Sequence, residues 1–477
     1  MTVQETPRSP YRFSHPGRPL VAIVGRPNVG KSSLFNRLAG RREAIVSDVA
    51  GTTRDRISAE VNYGERNFLI VDTGGLIIDP TTSMEAEVAV QVEAAIAEAD
   101  VVVFMTDIPE GVMPADQNVA DQLRRSNRPV VLVGNKADNA IQETMVSDQY
   151  ALGLGEPIAI SAYHNIGIDD LLSAVLKLLP EPRDAPELGP DVPHIAIVGR
   201  PNVGKSALAN AMLGNDRSIV SDVPGTTRDA LDSPMTYGDQ SLVLVDTAGI
   251  RRRGSISQGI ERYSVMRAVR AIDRADVAIL VLDATELVAA QDLHVAGIAA
   301  EGFKGMVVVI NKWDLADAER MDQAEVRELV RYKLKFMIHA PVRFTSALLG
   351  DGIDEVMKAV LEVHDQRQRW LEPRELQRVI MDAIAKHLPP RHGHGSMKIY
   401  RVKQESVGPP TFVFYCNNPH TMHFSYERYL ENTLRDAFGF QGTHLRLEFR
   451  GKGKIHVIGS NRAKAKTKLQ VKPQVKR

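Results

Sequence analysis

Short apolar runs separated by stretches of helical spacing set the pattern over most of this chain. In its first part the runs fall at residues 20–24, 67–72, 101–105, 130–133 and 157–161, and 84–99 and 171–179 read as helices. Apolar strands alternating with helices predict a mostly parallel sheet covered on both faces. The same order returns in the second part, which makes the chain a duplication. After residue 360 the rhythm changes. A helix is expected over 374–387, stopping at Pro389-Pro390, then strands over 397–404 and 411–416, a helix over 426–438 and a strand over 444–449. That α-β-β-α-β order predicts a small α+β domain.

The duplication is visible in short motifs. GRPNVGKS at Gly25 recurs at Gly199, SDVAGTTRD at Ser47 recurs as SDVPGTTRD at Ser221, and VDTGG at Val71 recurs as VDTAG at Val245, each 174 residues later. NKAD at Asn135 recurs as NKWD at Asn311, and Ser161-Ala162 aligns with Ser346-Ala347. Ordered motifs with small drifts mean two whole domains, not a short-period repeat. Between them, 180–193 holds five prolines and several acidic residues, a semi-rigid linker.

At 477 residues, about 150 per domain leaves room for roughly three domains. The expected division is an N-terminal extension (1–18), a first nucleotide domain (19–180), the linker (181–193) and a second nucleotide domain (194–362). A small C-terminal domain (363–450) and a basic tail (451–477) follow. Hydrophobic residues at 43% and charged residues at 25% are ordinary for a globular chain with ample core. Net charge is zero, yet 450–477 carries ten Lys/Arg and no Asp or Glu. A tail with cations and no aromatics offers phosphate attraction without base stacking; a solubilising tail is the plainer alternative. Cys416 is the single cysteine, which excludes an intrachain disulfide framework and fits a reducing compartment. It lies in an apolar run, as a packing residue would. The first 18 residues lack the apolar core of a secretory signal, and no run of about 18 apolar residues occurs, so a cytoplasmic protein without a membrane is expected.

Each motif carries a chemistry. Gly25, Arg26, Pro27, Asn28, Val29, Gly30, Lys31 and Ser32 form G-x-x-x-x-G-K-S between an apolar strand and a helix, and Gly199, Arg200, Pro201, Asn202, Val203, Gly204, Lys205 and Ser206 repeat it. In such a loop, inward-turned N–H groups and a helix N-terminus cradle phosphates. The lysines would reach the β/γ oxygens, and the serine hydroxyls would ligate Mg²⁺. Thr53 and Thr227 in GTTRD would close over the γ-phosphate and complete the Mg²⁺ shell; a turn-capping threonine is the plainer reading of either one alone. Asp72 and Asp246 end an apolar strand. With Thr73, Gly74, Gly75 and Leu76, or Thr247, Ala248, Gly249 and Ile250, they give an Asp that holds Mg²⁺ and a glycine N–H near the γ-phosphate. An Asp-Gly turn at a strand end is the alternative.

The base is read from Asn135, Lys136, Ala137 and Asp138, and from Asn311, Lys312, Trp313 and Asp314. A carboxylate offers two acceptors to the N1–H and amine of guanine, a pair adenine lacks, and a buried unpaired acceptor discriminates strongly. Ser161-Ala162 and Ser346-Ala347 would close the pocket with backbone N–H groups near the guanine oxygen. GTP and GDP are therefore the expected nucleotides, with Mg²⁺.

Tandem GRPNVGKS, GTTRD, DTGG or DTAG, and NKxD, followed by a small C-terminal domain, closely resemble the Der (EngA) family, the bacterial double GTPases of ribosome assembly in the Era-like branch. The resemblance runs from about Pro19 to Lys452. It implies two tandem P-loop GTPase domains and a KH-like third domain. It also implies hydrolysis of GTP in which Lys31, Thr53, Lys205 and Thr227 take part, and nucleotide-dependent association with the large ribosomal subunit and its rRNA. A monomer without DNA or membrane partners is expected. Where Ras-like GTPases carry a water-orienting glutamine, this chain has Leu76 and Ile250, so another group must do that work. Asn28 and Asn202 match the asparagine that helps hold K⁺ in potassium-activated relatives, although such an asparagine also serves loop shape alone. Arg251-Arg252-Arg253 follows the second D-x-x-G as a solvated run or as a switch meeting RNA or the third domain. A G-x-x-G clamp is not evident in the third domain, which leaves protein docking open beside RNA binding. His387, His392 and His394 lack metal-ligand spacing and read as surface histidines. A nucleotide-gated RNA-binding scaffold with one active domain, or an RNA-modification GTPase, are the alternative functions.

Overall fold

A computed structural model describes residues 17–40, 57–75, 84–181, 192–214, 218–220, 232–247, 264–316, 322–389, 391–392 and 395–451. The first domain begins with strand β1 (Leu20–Val24) and helix α1 (Lys31–Ala39), then β2 (Ser58–Tyr63), β3 (Arg66–Asp72) and α2 (Met84–Glu98). It continues through β4 (Val101–Asp107), α3 (Pro114–Arg125), β5 (Val130–Asn135), α4 (Ala140–Thr144), β6 (Ile158–Ala159) and α5 (Ile168–Leu178). Its sheet order is β2-β3-β1-β4-β5-β6, parallel throughout except for β2, which runs antiparallel to β3. β2 is the element the apolar pattern leaves out. SAEVNY sits at the sheet edge with one fully buried position, so it carries no continuous apolar run.

The second domain repeats this plan with β7 (His194–Val198), α6 (Lys205–Leu213), β8 (Ser218–Val220), β9 (Ser233–Tyr237), β10 (Gln240–Val245) and α7 (Ser264–Arg274). Then come β11 (Val277–Asp283), α8 (Ala290–Glu301), β12 (Gly305–Asn311), α9 (Gln323–Lys333), β13 (Val342–Phe344) and α10 (Ile353–Gln368). Its seven strands run β13-β12-β11-β7-β10-β9-β8. In both domains the first strand lies between a neighbour on each side reached in opposite directions: Ala22 pairs with Val71 of β3 and Val102 of β4. That reversal opens a crevice at the C-terminal end of the strand, where the glycine loop begins. Every residue of β4, β11 and β12 is buried, as strands covered on both faces require.

The third domain comprises α11 (Pro373–Lys386), a small ribbon of β14 (Arg391–His392) and β15 (Gly395–Ser396), β16 (Ile399–Ser406), β17 (Thr411–Cys416), α12 (Phe424–Phe438) and β18 (Arg446–Gly451). β16 and β17 are antiparallel, and β17 and β18 parallel. Phe412, Phe414, Leu430, Leu434 and Ile380 form its core, and Cys416 is buried within it, its thiol pushed up to about 11 by desolvation. Helix α10 continues through residue 362 to Gln368. Proline at the first position of α11 then starts the next helix.

One apolar cluster is continuous across the two nucleotide domains. It joins Ala22, Val24, Val102 and Phe104 of the first sheet to Ala196, Val198, Leu280 and Leu282 of the second, with α2 and α7 contributing Val92, Ala95, Val265, Val269 and Ile272. The third domain meets the second around 303–306 and 339. Met306 N–H donates to Gly442 O at 2.7 Å, Gly442 N–H donates to His339 O at 2.9 Å, and the Arg446 guanidinium stands 4.6 Å over the Phe303 ring.

Candidate nucleotide sites

In each copy the glycine loop follows a buried strand and opens a helix whose first residue is the loop lysine. Gly25 (φ +151°) and Gly199 (φ +144°) turn where a Cβ would meet the Met105 or Val281 carbonyl. Gly30 and Gly204, both at φ +98°, would drive a Cβ into Asn135 or Asn311. Asn28 (φ 68°) and Asn202 (φ 62°) are exposed in the left-handed region, which asparagine tolerates, so loop shape is one reason for the residue there. Pro27, Pro201, Val29 and Val203 complete the loops, both valines buried.

Lys31 Nζ donates to Gly25 O and Arg26 O, each at 2.8 Å. Lys205 Nζ donates to Gly199 O at 2.8 Å and also to Arg200 O. The two ammonium groups are thus folded over their loops in the same way. Arg26 and Arg200 point elsewhere. Arg26 Nε donates to the buried Asp116 at 2.8 Å and Nη1 to Glu110 at 3.0 Å; Arg200 Nε reaches Asp292 at 2.9 Å and Nη1 reaches Glu286 at 2.6 Å. Burial opposes charge on both guanidiniums, but these carboxylates win and raise them above the usual arginine range. Each arginine ties its loop to the helix after β4 or β11. No motif signals this brace; only the repetition of Asp116 and Asp292 at the starts of two distant helices betrays it.

Ser32 Oγ donates to Asp72 Oδ2 at 2.7 Å, and Gly74 N–H donates to Asp72 Oδ1 at 2.9 Å. A hydroxyl and a carboxylate converging beside a phosphate loop form an all-oxygen donor set that suits Mg²⁺. Thr73 Oγ1 donates to Ile23 O at 2.7 Å, and Gly75 closes the turn. The second copy differs. Asp246 stands at φ 59°, its N–H donates to Asp232 Oδ1 at 3.0 Å, and its Oδ2 lies 3.7 Å from Arg267 Nε on α7. Ser206 follows Lys205 on α6, and Thr247 Oγ1 lies 2.7 Å from Ser233 Oγ. Thr53, Thr227, Leu76, Ala248, Gly249, Ile250 and Arg251-Arg252-Arg253 lie outside the described residues, as do His394 and the tail from 452.

The base motifs converge as spacing alone could not show. Asn135 Nδ2 donates to Val29 O at 2.7 Å, while its Oδ1 accepts from Ala162 N–H at 3.0 Å. One buried amide thereby joins phosphate loop, base strand and closing turn. Asn311 does the same with Val203 O at 2.8 Å and Ala347 N–H at 3.0 Å. Ser161 Oγ donates to Asp138 Oδ1 at 2.6 Å, and Ser346 Oγ accepts from Leu349 N–H at 3.3 Å. Asp138 and Asp314 are exposed, open to a ligand; Ala137 is buried, and Trp313 stacks edge-on to Phe344. Lys136 and Lys312 both have positive φ and ion-pair with Asp107 and Asp283 at the ends of β4 and β11.

Two such sites on doubly wound sheets, joined to a small α+β domain, define a double P-loop GTPase with a KH-like C-terminus. The family model described as "50S ribosome-binding GTPase" matches residues 20–136 and 194–312, and that for the "KH-domain-like of EngA bacterial GTPase enzymes, C-terminal" matches 371–450. GTPase Der of Thermomicrobium roseum is 50% identical over 442 residues, covering 91% of this chain and 96% of the relative. That of Moorella thermoacetica is 48% identical over 433 residues, covering 91% and 98%. The chain belongs to the GTPase Der family and is a GTPase. Among solved structures, Aquifex aeolicus Era Y63A bound to GDP·AlF4⁻ is 29% identical, with a TM-score of 0.28, over 43% of this chain and 72% of that one. Among the described residues no helix is long and apolar enough to cross a membrane.

Proposed function

We propose that this GTPase is a molecular switch in the assembly of the large ribosomal subunit, its two nucleotide states setting its affinity for a pre-ribosomal particle. The observation that carries the reading is the packing of α2 against α7. Each is the helix that follows a D-x-x-G motif, the part of a GTPase that responds to the γ-phosphate. Here both helices lie in one apolar cluster between the domains. Charges join them: Arg267 donates to Glu98 at 3.0 Å and Arg270 to Asp100 at 2.8 Å, while Arg18 joins Asp273 and Glu60. A nucleotide-dependent shift of either helix therefore changes how the domains sit together, and with it the surface offered to RNA.

At each site the loop amides and Lys31 or Lys205 would neutralise charge on the phosphates, and the Asp138 or Asp314 carboxylate would select guanine. Ser32, Asp72 and Thr53, with Ser206, Asp246 and Thr227 in the second site, would hold Mg²⁺, which when bound shares the phosphate charge. Asn28 and Asn202 would hold K⁺; equal turnover in potassium and sodium would remove that part. Leu76 and Ile250 cannot orient water, so hydrolysis is expected to be slow until the particle is bound. The likeness of the C-terminal family model to EngA enzymes and the basic tail support rRNA contact.

Sedimentation with purified subunits tests the switch. Co-migration with the large subunit in a non-hydrolysable GTP analogue, and its loss in GDP, is expected. Equal binding in every state, or none, overturns it.

A further inference from the structure

Arg37 stands in the last turn of α1, six residues after the phosphate-loop lysine. Its Nε donates to Ala162 O at 3.1 Å and its Nη2 to Tyr163 O at 2.6 Å. A planar guanidinium spanning two successive carbonyls sets both the distance and the tilt of the turn that carries them. That turn is the wall of the base pocket: Ser161 is bonded to Asp138 and Ala162 to Asn135. In the second domain the corresponding position on α6 is Ala211, which has no donor to offer. The helix bearing the phosphate grip therefore also holds the base turn, by this side chain, in the first domain alone.

Along its hydrogen-bonding edge guanine presents the 6-oxo group, N1–H and the 2-amino group in order. With the Asp138 carboxylate on the last two, the 6-oxo group falls against the turn attached to Asp138. We propose that Arg37 is a positioning residue of the first guanine pocket: it holds residues 161–163 in place so that the Ala162 N–H, now donated to Asn135 Oδ1, can pass to the 6-oxo group, and so prolongs the stay of guanine nucleotide in the first domain. This rests on the guanine reading of that pocket. A cation in the last turn also offsets the helix dipole, but a lysine does that equally well and cannot span two carbonyls.

The test uses the full chain carrying Lys205→Ala, so that nucleotide occupies the first pocket. Release of fluorescent GDP is followed by stopped flow, beside the diphosphate of 2-aminopurine riboside, which keeps the 2-amino group but lacks the 6-oxo group and with it the N1–H. Arg37→Ala and Arg37→Lys are each expected to speed GDP release about tenfold, the scale of one charge-assisted hydrogen bond. Release of the 2-aminopurine ligand should stay within about twofold of the parent. Equal acceleration of both ligands shows a merely structural role and overturns the inference, as does parental GDP release by Arg37→Lys or by both variants. If the parent itself fails to retain GDP in preference to the 2-aminopurine ligand, the guanine reading falls and the inference with it.

Discussion

At the scale of single residues, the two sites hold their lysines alike and their aspartates differently. Lys31 and Lys205 each rest on two loop carbonyls, so both stand ready to exchange those acceptors for phosphate oxygens. Lys31→Ala and Lys205→Ala should each lower GTP turnover, measured as phosphate release by the full chain, with a residual rate from the intact site. A single variant that keeps the parental rate would remove the claim of two working sites. These lysines are legible from the motif because one side-chain length and one spacing serve the chemistry. Arg37 and the Arg26–Asp116 brace are not legible, because their partners lie 125 and 90 residues away and no local spacing links the two ends of either contact.

At the scale of elements, the loop-to-helix junction is the least forgiving. Gly30 combines a left-handed backbone with contact against the Asn135 amide, the same amide that joins base strand to phosphate loop. Gly30→Ala would cost about 1–3 kcal/mol through backbone strain alone and displace Asn135 as well. Loss of GDP binding at the first site, with binding at the second kept, is the expected outcome in calorimetric titration of the full chain. Strands with unbroken apolar runs, such as 20–24 and 101–105, stand where the pattern puts them because burial on both faces leaves no polar position. β2 and β9 escape the pattern because half-exposed positions interrupt their buried ones, and β8 because it is only three residues long. Helix α10 runs on to Gln368, with Val363 and Arg367 buried at the seam with the third domain.

At the scale of the whole molecule, the seam between the second and third domains contains titratable groups without charge. The His339 and His444 rings meet edge-on with centroids 5.1 Å apart, His444 buried and His339 half-buried. Burial first, and then the Arg435 and Arg367 charges, push His444 down to about 3; burial, Arg435 and His444 hold His339 well below its ordinary range. Unfolded histidine titrates near 6.5, so between that value and the folded one the unfolded chain binds more protons. The stability these neutral rings contribute is complete above about pH 6.5 and is lost as pH falls towards 3. The melting temperature of the full chain should therefore fall between about pH 7 and pH 5, and less steeply in His444→Phe. Equal slopes for variant and parent would show that the seam histidines do not control it.

By itself the sequence determined the duplication, the order of the repeated motifs, the guanine-nucleotide class and the α-β-β-α-β plan of the third domain. These are properties of local spacing: a glycine loop, a strand-end aspartate and a run of β-branched residues act within a few positions of themselves. Only the tertiary structure decided that Asn135 and Asn311 bind loop and turn together, that Arg37 donates to two carbonyls of the 161–163 turn where the second domain's helix has Ala211, and that α2 and α7 share a core. It also decided the joint use of two repeated aspartates. Asp100 and Asp276 accept the first N–H of β1 and β7, and each also faces an arginine of a neighbouring element, Arg270 and Arg367. Such contacts depend on which faces meet once the sheets have formed. Apolar area drives that meeting without direction, and the polar partners are chosen by where it leaves them.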